Sequence, residues 1–199
     1  MLDSAMREAE GPFVDPPWER PLDVERALLL IPESATISGM FYVALLEGAK
    51  RRGITIRFKE PRYLPFRFYS LREFAGLLAG AAPSFHPGVS LREGLRRIGR
   101  AGPAALLRST LGRVTLGAAA GVHDVVASFT KTYPINVRPS SCSIEARSPG
   151  SMIVRLSAPH FLDCHHVGAF EGALEHAGVK GKVLIAKRSE VLADFLLTW

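Results

Sequence analysis

The sequence predicts an α+β fold in which a helical N-terminal half packs on a ββαββ C-terminal half with an antiparallel sheet. Three observations point to it. Apolar residues recur at helical spacing from Ile37 to Phe129, the apolar period shortens to two at residue 141, and glycine and proline punctuate the segments between. With 199 residues, 47% of them apolar, the chain is sized for one domain whose core needs no disulfide or metal staple. That domain is expected over residues 23–199, its helical part spanning 23–135 and its ββαββ part 138–199, after an irregular arm at 1–22.

The arm carries Gly11, Pro12, Pro16, Pro17 and Pro21, which interrupt helix and strand alike, and much of the acidic charge. From Pro32 onward, Ile37, Met40, Phe41, Ala44, Leu45 and Gly48 follow helical spacing. Lys50, Arg51 and Arg52 then place cations in the last turn, and Gly53 stops the helix. Ser70 with Glu73 and Ser90 with Glu93 have the spacing of a capping box, so a helix is expected to follow each serine. Gly80 and Gly99 are expected to end those helices, with a turn from Pro83 to Gly88. Pro103 is expected to open a further helix through Leu106, Leu107, Leu111 and Val114, and Val122, Val125, Val126 and Phe129 mark another.

At residue 141 the pattern changes. Cys142, Ile144 and Ala146 alternate with polar residues, Pro149 and Gly150 turn the chain, and Met152, Val154 and Leu156 resume the alternation, which predicts a hairpin with one buried face. Residues 161–177 read as a helix whose Gly168 and Gly172, four apart, let its backbone lie close against a neighbour. Residues 182–187 and 191–199 supply the last two strands.

Charge and cysteine content narrow the function classes. The net charge is +6, with the basic residues crowded between Lys50 and Arg113. The segment Phe58 to Tyr69 interleaves bases with aromatics, as single-stranded nucleic-acid binders do, but Phe66 and Phe68 also alternate as a half-buried strand would, and the strand reading is preferred. Arg92, Arg96, Arg97 and Arg100 are read as a solvated helix face, so nucleic acid is not the expected partner. Two cysteines, no signal-peptide pattern and no apolar run of membrane-spanning length lead to an expectation of a cytoplasmic protein without membrane insertion.

No catalytic residues are assigned. Cys164 with His160 or His165 and Asp163 can be drawn as a nucleophile, base and orienting acid, yet nothing in the spacing selects that arrangement, and no nucleophile elbow, P-loop or dinucleotide fingerprint is present. For a metal, the run Cys164, His165, His166 is discounted because neighbours on an α-helix point about 100° apart. The favoured zinc set is instead His160 and Cys164 on one face, joined by Cys142 from the hairpin, and it ranks below ordinary burial of these residues.

The stretch Arg62 to Phe74, with Pro87 and Leu91 to Gly99, resembles a myxobacteria-restricted family of uncharacterised paralogous proteins, a resemblance that covers most of the chain and implies no established activity. A more distant resemblance covers roughly residues 121–199. His123 on an expected helix, then Tyr133, Pro134 and Pro139, then Ser157 before a helix bearing Gly168, is similar to the C-terminal core of the haem-NO-binding domains, a fold shared with vinyl-reductase-type ligand domains and transport-protein-particle subunits. That resemblance implies His123 as haem ligand and Ser157 as a propionate contact. The chain departs from the motif with Arg155 in place of its tyrosine and Pro159 in place of its arginine. The function expected is therefore a non-catalytic module that binds a small molecule or a protein and serves regulation. Phe129, Met152, Val154 and Phe170 are its expected pocket lining between helices and sheet. A haem-based gas sensor and a nucleic-acid binder are the alternatives, and self-association is implied by analogy with the families resembled.

Overall fold

A computed structural model describes residues 12–57, 59–60, 62–108 and 121–199. Helix α1 (Val24–Leu29) starts where the Asp23 carboxylate accepts a hydrogen bond from the Arg26 N–H at 2.9 Å. Strand β1 (Thr36–Ser38) leads into α2 (Gly39–Arg51), and β2 (Phe68–Ser70) into α3 (Leu71–Phe85). Then come α4 (Leu91–Arg108), α5 (Val122–Asn136), β3 (Val137–Arg138) and the hairpin of β4 (Ser141–Ser148) and β5 (Ser151–Ser157). A π-helical turn (Leu162–His166) runs directly into α6 (Val167–His176), and β6 (Lys182–Lys187) and β7 (Leu192–Thr198) close the chain.

The capping serines act as expected, each hydroxyl accepting from the N–H three residues on: Glu73 at 3.3 Å and Glu93 at 3.1 Å. The reciprocal half of each box is missing because both glutamates are drawn to cations, Glu73 to Lys59 and Glu93 to Arg96 and Arg97. The expected helix ends need correction. Helix α3 continues through Gly80, burying Ala81 and Ala82, and contains Pro83; α4 continues through Gly99 and contains Pro103. Leu111 and Val114 lie outside the described residues.

The C-terminal half has the expected ββαββ order. Its four-stranded antiparallel sheet runs β4-β5-β7-β6, with Met152 opposite Leu197, Val154 opposite Phe195 and Ile185 opposite Phe195. Met152, Val154, Leu156, Ala193, Phe195, Leu197, Val183 and Ile185 make its buried face. Val14 pairs with Ile185 at the β6 edge through two backbone hydrogen bonds of 2.9 and 3.0 Å, so part of the N-terminal arm adds to the sheet. A second sheet, β2-β1-β3, takes Ile37 out of the helix expected for it and pairs it with Tyr69 and Val137.

Helix α6 covers the large sheet, its Phe170 ring 4.9 Å from that of Phe195, and α4 lies across the back of α6 at backbone contact. Glycines permit this. A Cβ on Gly168 would overlap the Arg96 carbonyl oxygen, one on Gly172 the Arg100 carbonyl oxygen, and one on Gly99 the His165 carbonyl oxygen. Around that seam the arginines of α4 pair with acids: Arg96 grips Glu171 through two hydrogen bonds of 2.8 and 2.9 Å, Arg100 meets Glu175, and Arg92 reaches Asp163 at 2.6 Å. The arginine face is an inter-helix clamp. Buried apolar side chains from both halves form one cluster that runs from Ile31, Tyr42 and Phe74 to Phe170 and Phe195. No helix of the described residues is long and apolar enough to cross a membrane.

Candidate functional site at the start of α6

Between β5 and α6 the chain reverses over residues 158–166. The Ala158 N–H donates to the Val191 carbonyl across from β7, and the His160 N–H donates back to the Ala158 carbonyl at 2.8 Å. Phe161 then takes left-handed backbone angles, φ 32° and ψ 44°, an uncommon choice for an aromatic residue that persists only under strong surrounding constraint. The constraint is visible. Its ring is buried, and its carbonyl receives the Cys164 N–H, the Cys164 thiol at 3.8 Å and the His166 N–H at 3.4 Å. The last of these spans five residues and defines the π-turn, a form often found at functional sites.

This reversal gathers three histidines. One ring nitrogen from each of His160, His165 and His166 lies within 4.8 Å of the other two, and the ring centroids of His160 and His166 are 4.5 Å apart. His160 and His166 are buried, and His165 is partly exposed. The Nδ1 atoms of His160 and His165 are buried with no hydrogen-bond partner, an unusual condition for buried polar groups. His166 is held from α5, where the Tyr133 hydroxyl lies 2.7 Å from its Nε2. Burial, and then the neighbouring imidazoles of His166 and His165, push His160 well below the usual histidine range. Burial takes His165 to about 4, and burial followed by His165 takes His166 to about 3. At neutral pH the three rings are uncharged bases.

A cleft of about 210 Å³ opens beside His160. Its walls are Leu22, Ala27 and Leu30 on the α1 side and Pro159, Phe161 and Leu162 on the other. Charged pairs rim it: Arg92 with Asp163, Lys187 with Asp163 at 3.9 Å, and Arg26 with Glu190 at 2.8 Å. A larger cleft of about 480 Å³ lies between α3 and the segment after α2, lined by Ile56, Tyr63, Gly76 and Gly80 and bridged by the Lys59–Glu73 pair.

The residues expected to line a pocket between helices and sheet are packed against one another. Met152, Val154 and Phe170 are fully buried, and the Phe129 and Phe170 rings meet edge to face at 5.1 Å. His123 lies at the flank of the α5 stripe with its ring edge-on to Trp199 at 5.3 Å. Ser157 sits at the end of β5, opposite Ser141 and Leu192. Arg155 and Arg188 converge on the buried Asp194 of β7: Arg155 Nε donates to Oδ1, and Arg188 Nε and Nη2 donate to Oδ2, at 2.6 to 2.8 Å. Burial works against ionisation of Asp194, yet these hydrogen bonds hold its carboxyl below the usual range. A haem ligated by His123 does not fit these residues. The interior beside α5 is filled by aromatic rings, the residue at the motif's tyrosine position is committed to an ion pair, and Pro159 supplies no propionate contact.

His160 joins His165 and His166, whereas Cys164 and Cys142 stand apart from that group. The Cys164 thiol points back to the Phe161 carbonyl, and Cys142 lies opposite Leu156 on the hairpin, where burial pushes its thiol up to about 12. Discounting the Cys164-His165-His166 run on α-helical geometry missed the cluster, because His160 enters from before the helix and the turn itself is wider than an α-turn.

Comparison with known proteins places the fold. The family described as "Protein of unknown function (DUF2378)" matches residues 31–199. No curated protein sequence matches the chain. Among solved structures, the Fe(II) unliganded H-NOX protein from K. algicida is similar, with a TM-score of 0.61 at 15% identity over 81% of this chain and 96% of that one. The S. oneidensis H-NOX protein in its Fe(II)NO state is similar with a TM-score of 0.57 at 13% identity, over 81% and 98%. The likeness expected for the C-terminal half therefore extends into the helical half, and at this identity it is a likeness of fold.

Proposed function

The chain belongs to the DUF2378 family of proteins of unknown function, and we propose that it is a non-catalytic ligand-binding regulatory module on an H-NOX-like fold, its binding site being the cleft in front of α6. The observation that carries this reading is a buried imidazole in the lining of that cleft, His160, whose Nδ1 has no hydrogen-bond partner among the described residues. A buried nitrogen left unpaired is costly unless something fills its valence. The interior, by contrast, offers packed rings.

Two features support the non-catalytic part. Cys164 is kept protonated by burial, so it lacks the thiolate that a nucleophile needs. Asp163, which would orient a catalytic base, is engaged by Arg92 and Lys187 instead.

Amide chemical shifts followed during a small-molecule fragment titration test the reading. Shifts concentrated at Ala27, Leu30, Leu162 and Lys187 are expected, together with no Soret band when haem is supplied. Shifts confined to the α3 cleft, or a Soret band that His123→Ala abolishes, would overturn it.

A further inference from the structure

We infer that His160, His165 and His166 form a three-imidazole site for one divalent transition-metal ion of the zinc class. The inference rests on the reading of the cleft as a binding site and names what binds at His160 in its lining.

Geometry comes first. One nitrogen from each ring already lies within 4.8 Å of the others, while a tetrahedral zinc with Zn–N bonds of about 2.0–2.1 Å needs nitrogens roughly 3.4 Å apart. Side-chain rotation would have to close that gap, and His165 is the least buried of the three. The backbone is already committed: Phe161 in its left-handed conformation and the π-turn fix where all three Cα atoms stand.

Hydrogen-bond accounting agrees. Within the cluster the buried Nδ1 atoms of His160 and His165 lack partners among the described residues, as does that of His123 outside it, and a metal ion would give the clustered pair a partner. His166 has the outer support typical of a metal-ligating histidine. Its Nε2 contacts the Tyr133 hydroxyl at 2.7 Å, while its Nδ1 lies only loosely against the Phe161 carbonyl at 3.4 Å. The Phe161 carbonyl can only accept, so Nδ1 carries the proton, and Nε2, which faces the Tyr133 hydroxyl, is the nitrogen left to ligate once that hydroxyl turns aside.

Chemistry narrows the ion. Three neutral nitrogens with no carboxylate or thiolate among them suit Zn²⁺, Co²⁺, Ni²⁺ or Cu²⁺ and give little hold on Mg²⁺ or Ca²⁺. Three protein ligands also leave one position of a tetrahedral ion for water or a small anion.

The test is a Co²⁺ titration of the full chain after chelator treatment. Wild type is expected to develop the visible absorption of tetrahedral cobalt, saturating at one ion per chain and reversed by Zn²⁺. His165→Gln is expected to lose it. His123→Ala and His176→Ala should leave the titration unchanged. His160→Asn is the second ligand variant; should circular dichroism show it unfolded, His165→Gln decides alone. Absence of the cobalt absorption in wild type, or its persistence in folded His165→Gln, overturns the inference. Fragments that still shift the cleft amides of metal-free protein would then leave the cleft reading standing.

Discussion

Replacing Gly168 with alanine isolates the backbone seam between α4 and α6. On helix propensity alone the change is favourable by about 1 kcal/mol, since alanine is the better helix former. The seam reverses the sign. A Cβ at Gly168 stands 2.8 Å from the Arg96 carbonyl carbon and 3.0 Å from the Arg100 nitrogen, and overlaps the Arg96 oxygen, where ordinary contact is 3.4–4 Å. All three are backbone atoms and cannot rotate aside. The helices must part by roughly 1 Å, which loosens the Arg96–Glu171 clamp and the apolar contacts beneath it, and overpacking of this kind costs about 1–3 kcal/mol. Gly168→Ala should therefore destabilise by about 1–3 kcal/mol despite the gain in propensity, read as a lowered urea midpoint with an unchanged slope. Gly80→Ala is the matched control: it lies within α3 with nothing within 4 Å of its Cβ position and should stabilise by about 0.5–1 kcal/mol. If both substitutions stabilise equally, the seam is not close-packed and the α4–α6 account fails.

Further outcomes follow from the buried charges and rings. Asp194→Asn removes the carboxylate that two arginines share at a side-chain exposure of 2%, and it should cost about 3–5 kcal/mol, measured by denaturant titration. The buried pair His160 and His166 should make the metal-free fold acid-sensitive. Their folded values lie below the ordinary 6.5, so the unfolded chain takes up protons first; the stability they contribute is full above about pH 6.5 and is lost as pH falls below it. His165 is lowered as well and acts in the same direction, and Tyr133, Cys164, Arg92, Asp163 and Lys187 are other titratable or charged groups nearby. A urea midpoint that stays flat from pH 7 to 5 would contradict this, and saturating Zn²⁺ should shift the acid limb downward.

The sheet was legible in the sequence because its cause is local. Met152, Val154 and Leu156 are buried while Ile153 and Arg155 are not, and a period of two can be read directly from residue types. Gly168 and Gly172 were legible for the same reason, since two glycines four apart mark one helix face. Gly99 was misread because glycine carries two meanings, a stop and a close approach, and only the tertiary partner decides between them. The strands β1 to β3 are two or three residues long, too short for any alternation to register. The histidine cluster depends on φ at Phe161, and nothing about a phenylalanine announces a left-handed conformation.

The seam and the histidine site are mechanically one object. Gly99 of α4 abuts the carbonyl of His165 itself, whereas Gly172, about two turns further along, abuts the carbonyl of Arg100, and Arg92 ties α4 to Asp163 within the π-turn. A methyl added at either glycine wedges the same pair of helices apart, so both variants should lose comparable stability. Only the wedge at Gly99 displaces a backbone atom of a ligand residue. Gly99→Ala is therefore expected to weaken Co²⁺ binding by tenfold or more, about 1.4 kcal/mol, while Gly172→Ala stays near wild type, both titrated at a temperature where circular dichroism shows full folding. Equal cobalt affinities in the two variants would mean that α4 supports the fold without positioning the histidines.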